Sequence, residues 1–65
     1  MKAHEAARKI AGQGWFNAKR IASELDVSPT KARMLIQMIE KSSYYSTESN
    51  RLIEPMQIKV TAING

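Results

Sequence analysis

The stretch IASELDVSPTKARMLI, Ile21 to Ile36, constrains this chain more than any other. It contains two runs of helical spacing separated by only a few residues. Ala18, Ile21, Ala22 and Leu25 recur at intervals of three and four, and so do Ala32, Leu35, Ile36 and Ile39. Asn17 is placed to cap the first run. Ser28 is placed to cap the second, with Pro29 at the first helical position, where its missing N–H leaves no bond unmade. The spacing therefore predicts helices over Ala18 to Leu25 and Pro29 to Lys41. Two helices joined by so short a turn must cross steeply, and their contact must be small. Ala22 and Ala32 supply the small residues, Ile21, Leu25 and Leu35 surround them, and Val27 plugs the turn. Asn17 to Lys41 thus reads as a helix-turn-helix. It departs from the usual pattern at the first turn residue, where glycine is common and Asp26 stands, a residue type that tolerates a left-handed backbone.

The flanks add elements of two kinds. Ala3, Ala6, Ala7 and Ile10 form one apolar face, predicting a helix over about Lys2 to Ala11, with Gly12 suited to the left-handed residue that closes it. Trp15 and Phe16 read as core, either as a brief strand or as a hydrophobic plug. After Lys41 the period changes. Met56, Ile58, Val60 and Ala62 alternate with polar residues, as a half-buried strand requires. Ser43 to Thr47 has strand composition, and its adjacent Tyr44 and Tyr45 should face opposite ways. Glu48 to Pro55 then becomes the loop of an antiparallel hairpin, with Pro55 at the start of the last strand. The expected fold is α+β: a small winged helix-turn-helix of three helices followed by a C-terminal β-hairpin, one domain over residues 1–65.

Several function classes are set aside. Without cysteine, and with His4 as the sole histidine, no metal or cofactor site is expected. Ser28-Pro29-Thr30-Lys31 matches an S-x-x-K string, but capping accounts for Ser28. With no acid–base pair and no glycine-rich phosphate loop, neither an enzyme nor a small-molecule substrate is expected. No apolar run approaches the ~18 residues of a membrane span, and Met1 to Gly12 lacks the apolar region of a secretory signal, so a cytoplasmic protein is expected.

What remains is charge. The chain carries +4 at neutral pH, which favours a polyanionic partner. Lys19 and Arg20 fall in the first turn of one helix and Lys31 in the first turn of the next. Cations there oppose the helix dipole at about 0.3–1 kcal/mol each, whereas bound phosphates at helix N-termini would relieve that opposition. Lys19, Arg20, Ser28 and Lys31 are therefore the candidate phosphate contacts, joined by Arg51 in the hairpin loop. On the outer face of the third helix, Arg33 can pair with guanine, Gln37 with adenine, and Thr30 can reach a thymine methyl. These residues point to double-stranded DNA. A homodimer or a regulatory protein remains open as a further partner. Two alternatives also stand: a protein-interaction module using Met34, Met38 and an exposed tyrosine, and an excisionase-like factor that shapes DNA.

The run GQGWFNAKRIASELDVSPTKARMLIQMIEKS, followed by a polar loop and a strand, resembles the CaiF/GrlA family of bacterial transcriptional regulators. The similar features are a QG-aromatic-x-x-A-x-x-I lead-in, alanine in the second helix of the turn motif, and the β-segment that follows. The resemblance spans about Gly12 to Ala62 and is shared in part with PapI-like fimbrial regulators. It implies a winged helix-turn-helix regulator of virulence or metabolic genes, in some relatives controlled by a partner protein.

Overall fold

The computed structural model describes residues 2–64. These form three helices and a three-stranded antiparallel sheet, an α+β arrangement: α1 (Ala3–Ile10), β1 (Trp15–Phe16), α2 (Ala18–Leu25), α3 (Pro29–Lys41), β2 (Tyr45–Asn50) and β3 (Gln57–Ile63). The bounds of α2 and α3 are those the spacing predicts.

Capping explains why α2 and α3 begin where they do. The Asn17 side chain accepts from the Arg20 N–H at 2.7 Å, and Ser28 Oγ accepts from the Lys31 N–H at 3.1 Å. Each satisfies a backbone donor that a helix start leaves free. Between the helices, Asp26 adopts the left-handed conformation (φ 56°, ψ 50°), so aspartate takes the place glycine would fill. The next N–H, that of Val27, reaches back to the Ala22 carbonyl at 3.1 Å, the six-to-one bond of a Schellman closure. Val27 and Ala22 both pack against the core, and Ala32 is fully buried.

The first helix ends differently from the expectation. Ala11 is extended, and its N–H bonds to the Ala7 carbonyl. Gly12 is left-handed (φ 73°) one residue later, and its N–H donates to the Val60 carbonyl at 2.9 Å. The glycine thus serves the turn that ties α1 to the sheet.

The structure settles one open choice among the strands and corrects two expectations. First, Trp15–Phe16 is a strand, pairing with Lys59 and Ile58, so the sheet has the order β1-β3-β2 and the hairpin gains a third member. Second, β2 starts two residues later than expected and runs to Asn50, with an irregularity between Ser46 and Thr47. Glu48 belongs to it, opposite Lys59. An edge strand with a wet outer face can carry Ser, Thr, Glu and Asn, and such a segment lacks apolar alternation. Third, Pro55 lies in the loop, after a cis peptide, and β3 begins at Gln57.

Ile58 and Val60 of the central strand, Phe16, Ile10, Ile21, Leu35 and Ile39 form the large members of a single core, with Ala6, Ala7 and Ala32 allowing close approach. No polar side chain is buried among the described residues. Trp15, expected in the core with Phe16, is only half-buried, because neighbours in a strand face opposite sides. Tyr44 precedes β2 and is exposed, while Tyr45 packs against the core. Their rings nonetheless meet edge-on at 5.4 Å and both lie against His4, whose Nδ1 is 3.0 Å from the Tyr45 hydroxyl.

If the two caps fix the α2–α3 unit, Asn17→Ala and Ser28→Ala should each lower stability by about 1 kcal/mol. Urea denaturation should show lower midpoints with an unchanged slope. Midpoints equal to the parent's would remove the caps from the account.

Candidate nucleic-acid interface

Four inward residues fix the orientation of α3: Ala32, Leu35, Ile36 and Ile39 are all buried. At 3.6 residues per turn this turns Thr30, Arg33, Met34, Gln37, Met38 and Lys41 outward, and all six are exposed. Lys31 is half-buried at the flank. Arg33, Gln37 and Lys41 are four residues apart in succession, so they form one stripe along the helix. Lys41 was not among the candidate contacts, although the same spacing in the sequence carries the signal. Thr30, Arg33 and Gln37, the expected base readers, thus share one surface.

The stripe borders a cleft of about 730 Å³ between α3 and the β2–β3 loop. Arg33, Ile36, Gln37, Glu40 and Lys41 line one wall, and Arg51, Glu54, Pro55 and Met56 the other, with Ala18 of α2 also in the lining. Glu40 is the only carboxylate on the α3 side. It accepts from Ser49 Oγ at 2.6 Å and from the Arg51 guanidinium at 2.7 Å. These bonds fasten the loop to the last turn of α3.

The phosphate candidates divide. Among the described residues Lys19 and Lys31 form no ion pair, and neither do Arg33 and Lys41. Arg20 is engaged in the fold. Its guanidinium donates to the Trp15 carbonyl at 2.7 Å, lies 3.5 Å from Glu24, and sits 4.1 Å above the Phe16 ring. Arg51 is engaged with Glu40. Of the two carboxylates that flank Arg51 in sequence, Glu48, in β2, pairs with Lys59 at 3.0 Å. Lys59 also lies 4.9 Å from the Trp15 ring, so Glu48, Lys59 and Trp15 form a row across the outer face of the sheet. Ser28 Oγ is occupied as an acceptor by the cap, and its O–H can still donate.

Three of the ten basic residues are therefore paired with carboxylates among the described residues, and the others fall in two groups. Lys2, Arg8 and Lys9 belong to the first helix and its start. Lys19, Lys31, Arg33 and Lys41 belong to α2 and α3. Neither a cluster of metal-ligating side chains nor a helix long and apolar enough to cross a membrane occurs among the described residues. No protein-family model matches the chain, and neither does any curated protein or solved structure.

The contrast between neighbours Lys19 and Arg20 is testable. Arg20→Ala should lower stability by about 1 kcal/mol, through the lost carbonyl bond and ring contact. Arg20→Lys should recover little of it, since an ammonium lacks the planar fork. Lys19→Ala should change stability by less than about 0.5 kcal/mol. Thermal or urea unfolding of the three variants decides the matter, and equal stabilities would return Arg20 to the free cations.

Proposed function

We propose that this chain is a winged helix-turn-helix regulator that binds double-stranded DNA with α3 in the major groove. The observation that carries the reading is the stripe of Arg33, Gln37 and Lys41 on the outward face of α3, free of any unpaired carboxylate. A helix fits the major groove, where arginine can pair with guanine and glutamine with adenine. Thr30, Arg33 and Gln37 are assigned to base edges. Lys19 and Lys31, at the starts of α2 and α3, and Lys41 are assigned to phosphates, with the Ser28 hydroxyl as a further donor. The reading leaves Arg20 and Arg51 as positioning residues, because their guanidinium groups already have partners within the fold. It accords with the resemblance to CaiF/GrlA regulators and hence with transcriptional control in a bacterial cytoplasm.

A single α3 presents few base contacts, so high affinity requires a second copy, repeated sites or a larger complex. A protein-interaction module is the competing reading. It is favoured by Met34 and Met38, one turn apart and each 50% exposed.

In-vitro selection on the full chain, followed by titration over a range of salt, tests the proposal. The three lysine–phosphate contacts predict a slope of log K against log salt of about −3. Arg33→Ala should relax the base preference at one position, costing about 1–3 kcal/mol on the preferred site and little elsewhere. Lys19→Ala should weaken all sequences alike and reduce the slope by about 1. Absence of binding at low salt would overturn the DNA reading in favour of the interaction module. Equal, sequence-independent losses from both variants would overturn the role of Arg33.

A further inference from the structure

We propose that Leu52, in the β2–β3 loop, is an apolar wedge that enters the minor groove between two base pairs and bends the DNA that α3 holds. The inference rests on the DNA-binding reading above and extends it to the shape of the complex. Leu52 is 97% exposed, far more than any other large apolar side chain described, and Ile53 beside it is 44% exposed. Its backbone is held in place. The Leu52 N–H donates to Asn50 Oδ1 at 3.1 Å, and the preceding Ser49 and Arg51 both bind Glu40 of α3. The leucine is therefore presented from a fastened base, next to Arg51 on the loop wall of the cleft, which faces the α3 wall carrying Arg33 and Gln37.

Charge argues for the same role. A loop that only touched the DNA backbone would offer a free cation. Here the loop's one cation is bound to Glu40, and Glu54 adds a negative charge. What the loop presents outward is hydrocarbon. Proteins that bend DNA from the minor groove insert leucine, isoleucine or similar side chains into a base step, kinking it by roughly 20–90°. One leucine with an isoleucine neighbour has the size of such a wedge. A stable protein interface needs about 800 Å² per partner, and the exposed Met34 and Met38 do not line the cleft beside the loop.

The test uses the full chain and end-labelled duplexes of about 20–30 base pairs, carrying a selected site flanked by TA steps. Energy transfer between the ends reports bending, and 2-aminopurine within the flanking steps reports unstacking. The parent chain is expected to bend the duplex and raise the 2-aminopurine signal. Leu52→Ala should lose most of both, with the salt slope unchanged. Leu52→Met should retain them. A parent chain that binds without bending, or a Leu52→Ala variant that bends as the parent does, would overturn the wedge and leave DNA binding intact. Self-association of the parent that is abolished by Leu52→Ala, with bending unchanged, would assign the leucine to a second copy and overturn it as well. A parent chain that binds no duplex would instead overturn the underlying reading, an outcome visible before any bend is measured.

Discussion

Ile58 and Val60 are fully buried on the one strand with which both others pair, and most of the molecule is organised by that pair of side chains. They form the floor of a core roofed by Ile10, Ile21, Leu35 and Ile39 from the three helices. The backbone of the same strand takes the Gly12 N–H at the Val60 carbonyl, so the link from α1 into β1 is fixed there too. A chain this short buries only about 60% of its unfolded surface. It therefore depends on a few large side chains meeting at one place, with alanines at 6, 7 and 32 letting the helices close over them. Neither disulfide nor buried polar network supports that core among the described residues.

The outer shell is organised by charge. Carboxylates engage the cations of the sheet and the loop, and Arg20 is drawn onto Phe16 and Trp15. The cations left without partners in the α2–α3 unit then lie on the first turns of its helices and along the outside of α3. Selection for stability alone accounts for Lys41 in the last turn of α3 but favours the opposite of Lys19 and Lys31, acids at helix starts. α2 and α3 have no acidic residue in the first turn, and each is instead capped by an uncharged side chain. Neutral caps satisfy the backbone donors without adding negative charge to the surface where an anion would sit.

Much of this architecture is legible in the sequence because helices declare themselves twice, by periodicity and by their caps. Asn17, Ser28 and Pro29 fix the starts of α2 and α3, and the apolar spacing fixes their inner faces. The sheet is less legible. A two-residue strand has no period, so Trp15 and Phe16 cannot be told from a plug, and only pairing with Lys59 and Ile58 separates their roles. β2 is an edge strand whose wet face allows Glu48 and Asn50, residues that read as loop. The free and the engaged cations are likewise indistinguishable in one dimension. Lys19 and Arg20 are adjacent and share a helix turn, but only Arg20 can reach back to the Trp15 carbonyl. Glu40, eleven residues from Arg51, gives no sign in the sequence that it will meet it.

That Glu40 carboxylate links the two halves of the candidate surface. Left unpaired, it would stand between Ile36 and Lys41 as the one acid on the cleft side of α3, opposing any phosphate drawn to Arg33 and Lys41. Bound by Ser49 and Arg51, it is largely compensated, and it is held at 17% exposure. The same two bonds fix the β2–β3 loop at a set distance from the helix. A ligand spanning helix and loop would then meet both already in position, and less conformational freedom would be lost on binding. The loop's cation is thereby removed from direct attraction to the ligand and made part of the frame. The outward chemistry of the loop is left to Leu52 and Ile53, and its orientation to a carboxylate on the helix it accompanies.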